Sequence, residues 1–323
     1  MIRMIGKRLL MMIPVLLGVV IIVFTIMYMA PGDPARMMLG QGASQEAVDA
    51  LRQELGLDQS YIVQLTRYIR NLVFGLDMGT SYSSGKPVAT ELMERFPTTI
   101  RLAVYSVTIS VVVGISMGII SATKQYSIFD RVATATALVG VSMPTFWAGL
   151  MLVLVFSIQL GWLPASGSYG PEYWVLPSLT LGMSGAASIM RMTRSSMLEV
   201  IRQDYIRTAK AKGQKDWIVT IVHALKNALI PVITVIGIQF GSLLGGSVLI
   251  ESVFAIPGLG KFIIDSIKTR NMPVVQGGVL LLALSFSMVN LAIDILYGYI
   301  DPRIKSQYQI TKRTVRASGK EEG

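Results

Sequence analysis

The segment 258–262, Gly-Leu-Gly-Lys-Phe, has residue types that could do chemistry, because a glycine-rich loop ending in lysine can hold a nucleotide phosphate. The full pattern also requires a glycine five residues before the last glycine, and a Ser or Thr directly after the lysine. Ala255 and Phe262 occupy those two positions. The sequence therefore predicts that this chain binds no nucleotide and is not an enzyme by itself. If ATP drives its function, ATP and Mg²⁺ must lie on other subunits.

Ser184 could be a nucleophile, since it lies in a glycine-flanked Gly-Met-Ser-Gly sequence within an apolar segment. A serine nucleophile needs a general base within hydrogen-bond reach. The only histidine, His223, falls in a basic loop instead of an apolar segment. Small residues in an apolar helix are more typical of helix packing. An intramembrane serine hydrolase is therefore the remote alternative, and it requires Ser184 and His223 to meet.

Charged residues within apolar segments would indicate ion coupling or ion selection. The charged residue predicted to lie deepest within a span is Asp294, and we predict that it pairs with a nearby cation such as Arg303. A stand-alone secondary carrier or channel is weakened accordingly and is kept as the second hypothesis. Uncharged polar side chains could line a wide pathway instead, and the candidates are Gln239, Ser242, Ser285 and Asn290. With no Cys and one His in the chain, no metal site is predicted.

The composition indicates that these residues are positioned by membrane-spanning helices. Of the 323 residues, 52% are hydrophobic and 15% are charged, and the charges are clustered between long uncharged runs. Each run is about long enough to cross 30 Å of hydrocarbon as a helix. The sequence predicts an all-α integral membrane protein with six transmembrane helices, at 9–29, 100–122, 133–159, 175–190, 228–249 and 277–299.

The basic residues predict the orientation of the chain. The loop 191–226 carries eight Lys or Arg against three acids, and the tail 301–323 carries six against three. Because basic loops stay in the cytoplasm, both termini are predicted to be cytoplasmic. The net charge of +10 is thereby explained by topology, and a nucleic-acid partner is not expected.

Four regions follow from this topology. They are an N-terminal cytoplasmic segment with the first span (1–29), an extracytoplasmic insertion (30–97), a five-span core (98–300) and a cytoplasmic tail (301–323). The insertion is predicted to hold a helix with Ser44 as N-cap and Gly56 just past its end, and a second helix over 59–74. We interpret it as a small helical cap packed at the membrane.

The cytoplasmic loop 191–227 has a helical pattern instead of loop composition. Asp204 can cap a short helix that holds Tyr205, Ile206, Ala209 and Ala211, and Gly213 can end it. A second apolar face follows, formed by Trp217, Ile218, Ile221, Val222 and Leu225. A basic amphipathic helix on anionic lipid would satisfy the second pattern. The small-residue helix and its glycine break favour docking into a groove on another protein.

The stretch 207–213, Arg-Thr-Ala-Lys-Ala-Lys-Gly, resembles the E-A-A-x-x-x-G signature of permease subunits in ATP-binding cassette importers. It has Arg207 for the Glu and Thr208 for the first Ala, and a longer interval to the Leu-x-Pro element at Leu229 and Pro231. These departures are similar to the dipeptide/oligopeptide/nickel branch, and the long N-terminal insertion resembles the first, B-type permease of that branch. The resemblance continues in order along the chain at 31–34, 55–58, 143–147, 191–197, 254–260, 273–277 and 301–303.

This resemblance implies the fold of a type I importer transmembrane domain in a bacterial or archaeal inner membrane. It implies a complex with a second homologous permease, two ATP-binding subunits that bind ATP and Mg²⁺, an extracytoplasmic solute-binding protein and membrane lipid. The chain would form half of a pathway that works by alternating access, with peptides favoured as solutes over nickel or glutathione. The residues implied in coupling to the ATP-binding subunit are Asp204, Tyr205, Arg207, Thr208, Ala209, Ala211, Lys212 and Gly213.

Overall fold

The computed structural model describes residues 2–40 and 42–300, and within these ranges the chain is helical apart from turns and one isolated bridge between Thr80 and Pro87. The tail 301–323, with Arg303, lies outside the described residues. The membrane-related helices in chain order are α1 (Ile2–Met29), α5 (Val88–Thr123), α6 (Ile128–Ser142), α7 (Thr145–Leu152), α8 (Val175–Ile201), α11 (Lys226–Gly246) and α14 (Met272–Ile300). The shorter helices are α2 (Pro34–Leu39), α3 (Gln45–Leu55), α4 (Tyr61–Gly75), α9 (Asp204–Ala211), α10 (Asp216–Ile218), α12 (Val248–Val253) and α13 (Leu259–Lys268).

Four of the described helical segments are long and apolar enough to cross a membrane, namely those in α1, α5, the continuous run Asp216–Gly245, and α14. The helices α6 and α7 together make a fifth candidate. These five correspond to five of the six predicted spans. The predicted fourth span is α8, whose 27 residues are sufficient in length but whose composition is more polar. That α8 also crosses the membrane, which would bring the number of spans to six, stays a prediction.

The third predicted span, 133–159, is not one straight helix. It breaks between Ser142 and Thr145, and the two halves are bent by 105°. Met143 is extended, with φ −81° and ψ 127°, because a residue that precedes proline is pushed out of the helical region by the ring of Pro144. The second half then continues as a π-helix over Val153–Gln159.

α8 is the central helix, and it continues eleven residues beyond the predicted end at 190. It packs closely on α5 because glycines bring the two backbones together. A Cβ atom at Gly118 would lie 2.5 Å from the Cβ of Thr193, and one at Gly182 would lie 2.7 Å from Ile109. The small buried residues of α8 therefore serve helix packing, which also explains its low hydropathy.

Replacing Gly118 by Ala is expected to lower the thermal stability of the detergent-solubilised chain. The added methyl group meets Thr193 and the backbone oxygen of Met190 at 2.9 Å, and overpacking of this kind costs about 1–3 kcal/mol. The matched control is Gly18→Ala in α1, where nothing lies within 4 Å. Equal melting temperatures for the two variants, measured by fluorescence-detected gel filtration, would contradict the close α5–α8 contact.

The helix that contains the second predicted span begins before that span, since α5 starts at Val88 and runs through Pro97. The first turns of α5 are helical because Val88 and Leu92 are fully buried in a cluster with Ile263 and Val274. This packing comes from residues almost 200 positions away. The local sequence around the start of α5 therefore gives no sign of it.

The two helices predicted in the insertion are confirmed as α3 and α4. Ser44 caps α3 by accepting a hydrogen bond from the amide of Ala47, and Gly56 follows it with a left-handed φ of +67°. The insertion is tied to α14 by Asn271, which donates to the hydroxyl of Ser81 at 2.8 Å and accepts from the amide of Tyr82 at 3.0 Å.

Asp294 pairs with a cation, as predicted, and the cation named in that prediction, Arg303, lies outside the described residues. Its carboxylate binds the guanidinium of Arg8 in α1, with nitrogen–oxygen distances of 3.0 and 3.1 Å. The acid therefore joins the first and last spans near one membrane surface. A structural ion pair of this kind gives no support to an ion-coupled carrier.

Candidate functional site: the short helix α9 and a cavity between the spans

The short helix α9 leaves α8 after Arg202 and Gln203 and packs back onto the bundle. Ile206 is 1% exposed and Ala209 is 9% exposed, and both lie in a buried cluster with Met197 and Val219. The inward face of α9 is thereby fixed to α8 and to the helix that follows. Ala209, predicted to lie at the coupling interface, faces this chain's own core.

Asp204 is the first residue of α9 and not its cap, so the capping prediction is wrong. Gln203 occupies the cap position and makes no side-chain capping bond. The Asp204 carboxylate is almost fully exposed and lies 3.8 Å from the guanidinium of Arg207, one turn along the helix. An acid in the first turn still interacts favourably with the helix dipole.

Gly213 ends α9, as predicted. Its φ is +77°, and its amide donates to the carbonyl of Lys210 at 2.9 Å. The amide of Gln214 donates to the carbonyl of Ala209 at 3.4 Å, which completes a Schellman motif. A residue with a Cβ would be strained at this φ, so glycine defines where the helix stops.

Two side-chain hydrogen bonds hold α9 against the following helical run. Asn227 donates to the hydroxyl of Tyr205 at 3.0 Å, and the His223 Nε2 and Gln214 Oε1 atoms are 2.7 Å apart. Sequence analysis missed these contacts because nothing in the local pattern marks Asn227 as a partner for a residue 22 positions earlier. His223 is engaged here, while Ser184 lines a cavity between the spans, and this arrangement gives the hydrolase hypothesis no support.

The outward face of α9 is free within the described chain and is formed by Arg207, Thr208, Ala211 and Lys212, all exposed. The predicted apolar face after the turn is largely on the surface as well, since Trp217 is 62%, Val222 50% and Ile221 45% exposed. It stays outside because residues Val219–Leu225 form a π-helix, which turns Val219 and Ala224 inward instead. The loop therefore has one face fixed to the bundle and one face open to a partner.

A cavity of about 430 Å³ lies between α7, α8 and α11 and is open on one side. Two of the four predicted pathway residues, Gln239 and Ser242, line it. Ser285 and Asn290 do not line it, because both lie on α14, which contributes no residue to its wall, and their side chains donate to backbone oxygens of the same helix. Three further polar residues line the cavity and were not predicted to do so, namely Thr145, Ser188 and the serine considered above as a nucleophile, Ser184.

Gln239 joins three helices at the wall of this cavity. Its Nε2 atom donates to the Ser110 hydroxyl at 3.1 Å, and that hydroxyl donates to the carbonyl of Gly182 at 2.8 Å. The side chain lies directly over Gly185, where an added Cβ would overlap it. The Gly-Met-Ser-Gly sequence thus makes room for a polar contact between α5, α8 and α11.

The loop that resembled a phosphate-binding loop encloses a carboxylate of this chain. Glu251 is fully buried and accepts from the amide of Lys261 at 2.9 Å and from the Thr99 hydroxyl at 2.6 Å. The Lys261 ammonium donates to Asp265 at 2.6 Å and holds the pKa of that carboxyl below its ordinary value. The lysine and the loop amide are therefore both engaged by acids of the same chain.

A buried ion pair connects α6 to α8 on the side of the bundle where α9 lies. The Arg194 guanidinium binds Asp130 through two hydrogen bonds of 2.7 and 2.9 Å. The Asp130 carboxylate also accepts from the Ser121 hydroxyl and, at 2.9 Å, from the amide of Tyr126. Sequence analysis did not identify this pair, since Arg194 counted there only as one of the basic loop residues.

A bundle of apolar helices with a cavity that opens on one side is the architecture of a membrane transport protein, and the exposed face of α9 is open to a partner. The family model "Binding-protein-dependent transport system inner membrane component" matches residues 114–306, and the corresponding N-terminal model matches residues 1–103. The chain therefore belongs to the family of binding-protein-dependent transport system permeases. It is a permease subunit of an ATP-binding cassette importer.

Curated relatives cover most of the chain. It is 44% identical to the dipeptide transport system permease protein DppB of Alkalihalophilus pseudofirmus, over 93% of this chain and 98% of the relative. It is 45% identical to the glutathione transport system permease protein GsiC of Escherichia coli, over 93% and 97%. These relatives place the chain in the dipeptide/oligopeptide branch.

Solved structures show the same fold at low sequence identity. An inward-facing MetNI methionine ABC transporter chain has a TM-score of 0.56 and 20% identity, covering 65% of this chain and 96% of that chain. An amino acid ABC transporter crystallised with histidines has a TM-score of 0.50 and 18% identity, covering 67% and 94%. The core is thus that of a type I importer transmembrane domain.

Proposed function

We propose that this chain forms one half of the translocation pathway in a complex with a second homologous permease, two ATP-binding subunits and an extracytoplasmic solute-binding protein. The observation that carries the proposal is the two-sided construction of α9. Its inward residues Ile206 and Ala209 are fixed to this chain, whereas Thr208 and Ala211 are exposed on the opposite side. A short helix held in this way suits a groove on another protein.

The contacts of α9 suggest how its movement would reach the pathway. Ile206 and Ala209 connect it to α8 through Met197, and Tyr205 connects it to α11 through Asn227. α8 and α11 are two of the helices that line the central cavity. A displacement of α9 by the ATP-binding subunits would therefore move the cavity walls, as alternating access requires.

ATP and Mg²⁺ would be bound by the partner subunits, and both termini of this chain would be cytoplasmic. The exposed face of α9 carries Arg207 and Lys212, and this positive charge supports a position on the cytoplasmic side, where basic loops are retained. The ATP-binding subunits would meet it on that same side. The glycine loop near Lys261 would serve the structure of the permease, since its amide already binds Glu251.

Peptides are the solute class we propose. The polar groups of the cavity are uncharged hydroxyls and an amide, and such groups can exchange hydrogen bonds with peptide bonds; they are Thr145, Ser184, Ser188, Gln239 and Ser242. The relatives named for dipeptide and glutathione transport are permeases for peptide-type solutes by name. Nickel or another small solute is the alternative outcome of the uptake test.

The test is mild-detergent purification of the tagged chain from its native membranes, with identification of the co-eluting proteins and an assay of ATP hydrolysis. We expect a second multi-span permease and ATP-binding subunits, and ATP-dependent uptake of labelled dipeptide after reconstitution with the binding protein. A chain that elutes alone and transports in liposomes without ATP would overturn the proposal. Uptake of Ni²⁺ that excess dipeptide does not inhibit would overturn the solute assignment only.

A further inference from the structure

Helix α4 of the extracytoplasmic insertion packs against the last turns of span α1. The ring of Tyr61 lies 5.7 Å from that of Phe24 and 5.2 Å from that of Tyr28, and the ring of Tyr68 lies 6.1 Å from that of Phe24. The Tyr61 hydroxyl is 2.7 Å from the hydroxyl of Thr25. One face of α4 is therefore fixed to α1 by aromatic contacts.

These contacts place α4 within the membrane boundary. Phe24 lies five residues before Met29, where the apolar span of α1 ends. At 1.5 Å per residue the contact lies about 8 Å inside the end of that span. Helices that lie in the membrane plane bury their apolar faces roughly 5–10 Å into the boundary between headgroups and acyl chains. Tyrosines such as Tyr61 are also enriched at this depth.

The other side of α4 presents uncovered apolar side chains. Ile62 is 71%, Val73 57% and Phe74 85% exposed, and Leu76, directly after the helix, is 82% exposed. On a helical wheel Val73 and Phe74 flank the direction opposite Tyr61 and Tyr68, and Ile62 lies at the side next to Val73. We call these four exposed residues the apolar stripe. In water each would lack the favourable free energy that burial of a large apolar side chain provides.

The surroundings of the stripe are those of a lipid-facing surface. The same two turns of α1 that hold α4 also expose Ile22, Ile26 and Met29, each at least 59% accessible, on a helix that spans the membrane. The stripe thus lies at the level of an apolar surface that meets lipid. Arg70 is exposed on α4 between the ends of the stripe, and its positive charge is complementary to the negative phosphates of lipid headgroups.

We propose that α4 is an interfacial helix that lies in the bilayer leaflet at the Met29 end of α1. Its apolar stripe contacts acyl chains, and Arg70 contacts headgroup phosphates. The occupant of this surface is phospholipid and not a protein. A soluble partner that binds and leaves would return the stripe to water in every cycle, whereas lipid covers it continuously.

The absence of cysteine from all 323 residues makes a direct test simple. The full chain carrying Phe74→Cys, or separately Ile62→Cys, is labelled with a nitroxide and reconstituted in vesicles of phosphatidylcholine and phosphatidylglycerol. Power saturation in electron paramagnetic resonance then measures how often the label collides with oxygen, which enters lipid, and with a nickel chelate, which stays in water. The control is Gln53→Cys on α3, an exposed polar position of the same insertion.

We expect oxygen to relax the label more than the chelate at both stripe positions, and the reverse at Gln53. Chelate-dominated relaxation at Phe74 and Ile62 would overturn the proposal. So would a label that is open to water in these vesicles and becomes protected only when purified solute-binding protein is added. That result would make the stripe a protein-docking surface. Because both substituted side chains are exposed, the variants are expected to fold, and elution at the wild-type volume in gel filtration checks this.

Discussion

Ala211→Glu is expected to abolish coupling to the ATP-binding subunits while leaving the permease folded in the membrane. Ala211 is exposed on α9, on the side opposite Ile206 and Ala209. A carboxylate there costs this chain little, because it stays in water until the partner docks. Within a close interface it is desolvated, and we take about 3 kcal/mol, the lower end of the cost of an uncompensated buried charge, because Arg207 and Lys212 lie on the same face. Since 1.4 kcal/mol is a factor of ten, the association should weaken about 100-fold or more.

The measurement is the amount of ATP-binding subunit that co-purifies with the tagged permease, together with solute uptake. Ala50→Glu on α3 makes the same change at an exposed alanine of the insertion and should retain the ATP-binding subunits. Ala209→Glu is a different experiment, because Ala209 is buried beside Met197 and Val219. We expect that variant to lose folded permease from the membrane. Wild-type uptake and co-purification for Ala211→Glu would refute the docking role of α9.

Arg194→Met is expected to cause a large loss of stability. It removes both hydrogen bonds to Asp130, whose side chain is only 5% exposed, and leaves that carboxylate with Ser121 and the Tyr126 amide. Breaking a buried pair costs about 3–5 kcal/mol, and we take about 3 kcal/mol because the Arg194 side chain is 27% exposed. At 2–4 °C per kcal/mol, the melting temperature should fall by about 6–12 °C.

Arg131→Met is the matched control, since Arg131 is a neighbouring exposed arginine whose guanidinium donates to the backbone oxygen of Tyr126 at 3.3 Å and forms no ion pair among the described residues. A surface change of this kind is usually within about 0.5 kcal/mol of wild type. The double variant Asp130→Asn with Arg194→Met removes both charges and should recover part of the loss. If Arg194→Met and Arg131→Met melt at the same temperature in detergent, the ion pair does not stabilise the α6–α8 contact.

Much of the fold could be predicted because a membrane span is a local property of about 20 consecutive residues. Five of the six predicted spans coincide with helices, or with one bent pair, that are apolar enough to cross a membrane. Helix ends were predictable where a short-range signal marks them. Ser44 and Gly56 bound α3, and Gly213 ends α9, because side-chain caps and left-handed glycines act within a few residues.

The prediction failed where distant packing decides the structure. α5 is already helical at Val88 because that residue is buried near Val274. The third span bends at Pro144, and the size of the bend depends on the residues that pack around it. α8 extends eleven residues past the predicted fourth span and is not among the segments apolar enough to count as a span, because its polar residues meet other helices instead of lipid. Hydropathy measures the composition of a segment and does not measure what surrounds it.

The candidate site shows the same division. The sequence alone determined that a short helix precedes Gly213, because small residues, apolar spacing and a glycine break are all local. Only the tertiary structure decided that Ala209 faces the bundle and Ala211 faces outward, since the two alanines are chemically identical and differ only in what packs beneath them. It likewise gave Asp294 its partner Arg8, 286 residues away, because no sequence pattern encodes a contact between the first and last spans.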